Sequence, residues 1–81
     1  MEIKTINFTK DNLCIITDEQ RVFQSYGITI AVITKNKIFL DKDKWDYSKT
    51  TSKYRNIFLE EDSATTKSKI KSGQYILIDL N

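Results

Sequence analysis

The chain has no histidine and no proline, two glycines and a single cysteine among its 81 residues. Without histidine, Ser-His-Asp and Cys-His catalytic arrangements and imidazole metal sites are excluded. General acid–base chemistry would fall to carboxylates or a perturbed lysine, and no spacing pairs them. The expectation is a non-enzymatic protein with no cofactor. Cys14 alone permits neither an internal disulfide nor a cysteine zinc site. It lies within Leu13-Cys14-Ile15-Ile16 and reads as a small buried hydrophobe. The lack of proline and the scarcity of glycine exclude a linker or a collagen-like segment. Between Gly27 and Gly73 there is no glycine, so no glycine-rich loop can cradle a nucleotide's phosphates. No run approaches the ~20 apolar residues that span a bilayer. Met1-Glu2-Ile3-Lys4 begins in alternation without an apolar signal core, so a cytoplasmic location away from membranes is predicted.

What is present describes one folded unit. A composition 40% hydrophobic and 30% charged is that of a globular domain, and the length fits a single core over residues 1–81. Thirteen basic and eleven acidic side chains give a formal net charge of +2, too small to mark a nucleic-acid-binding protein by itself. The excess is unevenly placed. Residues 1–41 carry five charges of each sign, whereas residues 42–71 carry eight basic and five acidic. A short chain with a small core also makes a homodimer plausible, through an edge strand or exposed aromatics.

Residues 2–8, 13–17 and 22–26 read as strands separated by Lys10-Asp11-Asn12 and Asp18-Glu19-Gln20. Ile28-Thr29-Ile30-Ala31-Val32-Ile33-Thr34 is the strongest strand, because β-branched residues favour a pleated surface. Gly27 marks a bulge or bend before it. Lys35-Asn36-Lys37 then joins a hairpin to Ile38-Phe39-Leu40. Tyr54, Ile57 and Phe58 share helical spacing over about 51–61 and form an apolar stripe, with Lys53, Arg55, Asn56 and Glu60 pointing elsewhere. A second helix over 63–72 is capped by Ser63 or Asp62 and stopped by Gly73, with a thin apolar face of Ala64 and Ile70. Residues 74–80 close the chain as a strand expected inside the sheet. The predicted fold is α+β: an antiparallel sheet of five or six strands, covered by one or two short helices, in the order β-β-β-β-β-α-α-β.

The segment Trp45 to Tyr54 concentrates the candidate chemistry. Ser48, Thr50, Thr51 and Ser52 stand at a helix start, where hydroxyls can cap free N–H groups or those groups can hold an anion. Capping is the simpler reading, and the two are compatible. Asp41, Asp43 and Asp46 come nearest to a calcium loop, yet Asp46 stands where glycine is needed and Ser52 where the bidentate glutamate belongs. No metal site is expected. Trp45, Tyr47, Lys49, Lys53 and Arg55 are the candidate contact residues for a partner. Lysines on phosphates and aromatics on bases would suit nucleic acid. Tryptophan and tyrosine equally suit a protein interface. Interspersed acids also allow a plain solvated face.

The run Tyr47-Ser48-Lys49-Thr50-Thr51-Ser52-Lys53-Tyr54, followed by Phe58-Leu59 and by Gly73-Gln74-Tyr75, resembles a pattern in small phage and prophage proteins. That likeness covers residues 22–81. It implies a short α+β domain of mobile-element origin that acts stoichiometrically on a host protein, ribonucleoprotein or nucleic acid. Inhibitors of bacterial defence, anti-CRISPR proteins included, are a recurrent class among such compact proteins. Many of the phage and prophage proteins with this pattern carry a histidine where this chain has Tyr54, so a role resting on an imidazole there does not transfer.

Overall fold

A computed structural model describes residues 3–81. Six strands form one sheet in the order of the chain: β1 (Lys4–Asn7), β2 (Asn12–Ile16), β3 (Gln20–Ser25), β4 (Ile28–Thr34), β5 (Ile38–Asp41) and β6 (Tyr75–Ile78). Two helices, α1 (Lys49–Leu59) and α2 (Ser63–Ser72), lie between β5 and β6. The expected α+β architecture and element order are thus present. The expected start of the first strand at Glu2 lies outside the described residues.

Two features of the sheet depart from expectation. β6 runs parallel to β5, so the sheet is mixed, and β6 forms its edge instead of an interior strand. The cause is the connection. Each of the first five strands follows its neighbour through a short turn and reverses direction. The long crossover through both helices returns the chain to the end at which β5 began, as parallel pairing requires. The only free edge left beside β5 then takes the last strand. Of the bulge or bend expected at Gly27, the structure has the bend. With Tyr26 (φ 53°) and Gly27 (φ 75°) both left-handed, the pair makes the two-residue turn of the β3–β4 hairpin. The bulge falls slightly later, opposite Phe23 and Gln24, where Ile30 is the extra residue.

Strand alternation sends one set of side chains toward the helices. Cys14, Phe23, Ile30, Ala31 and Leu40 from the sheet meet Phe58 of α1, with Tyr75 closing the cluster. Tyr54, Phe8, Phe23 and Phe58 form a continuous aromatic chain with ring centroids 5.7–6.2 Å apart. Helix α1 therefore docks through Thr51, Tyr54, Arg55 and Phe58, while Ile57 is half exposed. This rotates the expected stripe by part of a turn, because the buried face includes a threonine and an arginine that hydropathy alone assigns to water. On α2 the buried residue is Thr66, whereas Ala64 is exposed.

The opposite side of the sheet bears no helix. One rung crosses all six strands there, pairing Thr5, Ile15, Val22, Val32, Phe39 and Ile76 in register.

Candidate functional site

The loop after β5 and the first turns of α1 hold every candidate residue of the sequence, and they treat those residues very differently. Ser48 has extended backbone (φ −152°) and its Oγ accepts from the Thr51 N–H at 3.1 Å, so it is the N-cap. Ser52 donates to Asp46 Oδ1 at 2.8 Å, and Thr50 faces solvent. Thr51 is fully buried, with its hydroxyl 2.8 Å from that of Ser25 on β3. One hydroxyl caps, one braces the loop, one is free and one joins the core.

Arg55 is the largest correction. It is 0% exposed, so it contributes nothing to an outer contact surface. Its Nη1 donates to the Trp45 carbonyl and reaches Asp46 Oδ1 at 3.3 Å. Its Nη2 donates to Asn56 Oδ1 and Ser63 Oγ, both at 2.9 Å. The guanidinium carbon lies 5.1 Å from the Trp45 ring centroid. One planar cation thus pins the 42–48 loop, α1 and the start of α2 together, a task suited to the five fixed donors of arginine. Trp45, expected as an exposed contact, is instead half-buried and packs against the core.

What stays outside is Tyr47, Lys49, Thr50 and Lys53. Tyr47 is 41% exposed, and Lys44 Nζ sits 5.2 Å from its ring centroid. Lys49 and Lys53 lie one helical turn apart, with Lys53 Nζ 5.4 Å from the Tyr54 ring. Tyr47, Ser48, Lys49 and Ser52 rim a shallow open depression with Asp46, Ser63 and Lys67. Lys44 was not among the candidate contact residues, whereas the sequence groups Lys67, Lys69 and Lys71 with Lys49, Lys53 and Arg55 as a basic set that would suit phosphates. Lys44, three residues before Tyr47, was visible as a spacing. That Lys67 stands beside Lys49 depends on the packing of α2 beside α1, for which no local signal exists.

A second polar cluster fastens the far side of the helices. Tyr75 Oη donates to Glu61 Oε1 at 2.7 Å, Lys69 Nζ donates to the same oxygen at 2.8 Å, and Thr66 Oγ1 donates to Oε2 at 2.7 Å. Burial disfavours the Glu61 anion, but these donors outweigh it and hold its carboxyl below the usual range. Asp41 follows the same logic. Burial opposes its charge, while Leu80 N–H, the Asn81 amide and Asp43 N–H bring its pKa down. Burial pushes the Cys14 thiol up, with Arg21 acting weakly the other way, so it is a poor nucleophile. Among the described residues, no three ligating side chains gather as a metal site would require. Among them, too, no helix is long and apolar enough to cross a membrane.

A family model matches residues 1–74, from β1 through the end of α2. The chain belongs to DUF8033, a family of unknown function. The match to DUF8033 takes in the whole candidate site and stops just before β6. No curated protein and no solved structure matches the chain.

Proposed function

We propose that this chain is a non-enzymatic, stoichiometric binding protein of phage type that inhibits or modulates a host factor, such as a CRISPR or other antiviral defence complex. The observation that carries this reading is the rigid presentation of Tyr47. The buried Arg55 clamp fixes the loop before α1, and Tyr47 projects from that loop between Lys44 and Lys49. An exposed tyrosine with few rotatable bonds, with the Lys44 ammonium 5.2 Å from its ring centroid, is the kind of anchor that protein interfaces use. The likeness of the Tyr47–Tyr54 run to phage proteins supports the host-directed part of the reading.

Affinity capture from a lysate of a low-GC bacterium, with and without nuclease treatment, tests it. A discrete protein partner that survives nuclease and is lost with Tyr47→Ala or Lys49→Glu is the expected result. Retention of every partner by both variants would sink the proposal.

A second reading is favoured by Lys67, which joins Lys49 around the depression beside Tyr47. This arrangement suits a phosphate backbone with a base stacked on the tyrosine. In that case capture yields nucleic acid. Its affinity falls as salt rises, with roughly one counterion released per neutralised phosphate.

A further inference from the structure

The open side of the sheet is apolar and almost without charge. Its central rung offers Ile15, Val22, Val32, Phe39 and Ile76, all half-buried by their sheet neighbours alone, and Leu13 and Ile78 extend it. Around them stand threonine, asparagine and glutamine. Asp41 is the one ionisable residue on this side among the described strands. It is buried and already bound by the Leu80 and Asn81 groups. Lys4 and Arg21, the other charged strand residues, pair in register with Ile16 and belong to the helix-bearing side. In a chain with 30% charged residues, six described strands that place no free charge on one side are a marked exclusion. An antiparallel sheet that keeps one side in water normally makes that side polar.

We infer that this face is the interface of a homodimer, in which two copies pack sheet against sheet about a two-fold axis. This goes beyond the proposed partner site, which lies at the start of α1. Three arguments choose a second copy as the occupant. A two-fold axis sets the patch against a copy of itself, and an apolar patch whose described strands carry no free charge is complementary to its own copy with no charge left to match. The same lack of cations on the described strands gives a nucleic-acid phosphate little to bind across this face. The size is also right. Strands about 4.8 Å apart make the rung roughly 24 Å wide, and sheet-on-sheet cover would bury on the order of 1,000 Å² in total, the lower bound for a specific interface. The dimer is therefore weak and reversible, and it gives a small domain the second apolar layer that its own chain does not supply.

Sedimentation equilibrium on the full chain, from about 5 to about 500 μM, reads the result directly. The wild type is expected to pass from monomer to dimer across that range. Val32→Glu should raise the dissociation constant at least tenfold while leaving the circular dichroism spectrum unchanged. If Val32→Glu does not fold, the near-isosteric Val32→Thr takes its place and should weaken association several-fold. A wild type that stays monomeric at the highest concentration overturns the inference. So does a dimer that survives substitution at Val32 but is lost with Ile6→Glu on the outer strand β1, which would indicate edge pairing.

Discussion

The hydroxyls of Ser25 and Thr51 meet 2.8 Å apart in the core, joining the end of β3 to the first turn of α1. Ser25 has one proton, and Asn12 Oδ1 takes it at 2.6 Å. Thr51 is therefore the donor and Ser25 Oγ its acceptor. The Asn12 amide nitrogen in turn donates to Thr9 Oγ1 at 3.0 Å, so the buried chain Thr9–Asn12–Ser25–Thr51 is satisfied throughout. Thr51→Val removes one donor and keeps the shape, at an expected cost of about 1 kcal/mol. Ser25→Ala strands both the Asn12 oxygen and the Thr51 hydroxyl and should cost about 2–3 kcal/mol. Urea unfolding of both variants and of the double mutant checks the order. Equal losses, or a larger loss for Thr51→Val, would contradict the donor assignment.

Arg55 makes a sharper test of the same region. Its truncation to alanine strips the Trp45 carbonyl and Asn56 Oδ1 of their guanidinium donor, leaves Ser63 Oγ only the Asn56 amide at 3.3 Å, and opens a void against the Trp45 ring. The cavity together with several lost buried hydrogen bonds should cost about 3–5 kcal/mol. Asp46 is 39% exposed, and water can replace its contact with Arg55. Asp46→Asn is thus expected to cost less than about 1 kcal/mol. Thermal melts of the two variants separate a clamp made of many neutral acceptors from a simple ion pair. Comparable losses from both would show that the carboxylate carries the clamp.

Most of the architecture was legible because its causes are local. The β-branched run 28–34, the Asp62 cap with Gly73 as stop, and the apolar closing run all announce themselves over a few residues. What was not legible depends on distant partners. Arg55 looks like a surface residue until Trp45, Asn56 and Ser63 are brought around it, and Thr51 looks like a cap until Ser25 arrives from 26 residues away. The parallel edge position of β6 depends on which edge of β5 remains free, a property of the whole sheet. Within the candidate site, the exposed set of Tyr47, Lys49, Thr50 and Lys53 follows from the sequence. The buried set was hidden, because polar residue types give no hint of burial.

Stability should fall in acid. Asp41 and Glu61 both have folded-state pKa values below their ordinary ones. The unfolded chain therefore binds more protons than the folded one as pH drops through the carboxylate range. The contribution of each group is present above its unfolded pKa and is lost as pH falls through its folded pKa. Tyr75 acts at the other end. Burial first, and the Glu61 contact second, raise its pKa, so its stabilising neutral form persists below the ordinary phenol value and is lost as pH climbs through the folded one. Urea midpoints measured across pH should form a plateau with losses on both sides. Glu61→Gln should flatten the acid limb, leaving the part due to Asp41 and to the Asp62 cap, whose carboxyl the Thr65 N–H also holds low. An acid limb unchanged by that variant would remove Glu61 from the account.

Helix α1 ends on a strained residue that can be relieved. Glu60 at its C-cap has φ 58° and ψ 43°, the left-handed conformation in which a Cβ crowds the backbone. Its carboxylate also stands at the negative end of the helix dipole. The corresponding position of α2 is Gly73, at φ 88°. The two caps share the same hydrogen-bonding form, since each cap N–H is directed at carbonyls three and four residues back. Glu60→Gly should therefore stabilise the protein by about 0.5–1 kcal/mol, and Gly73→Ala should destabilise it by a similar amount. A Cβ at residue 73 meets no atom within 4 Å, so the second change reports backbone strain without a steric clash. Opposite shifts in melting temperature for the two variants are the expected outcome. A Glu60→Gly protein that melts lower than the wild type would show that the Glu60 side chain contributes more than its backbone costs.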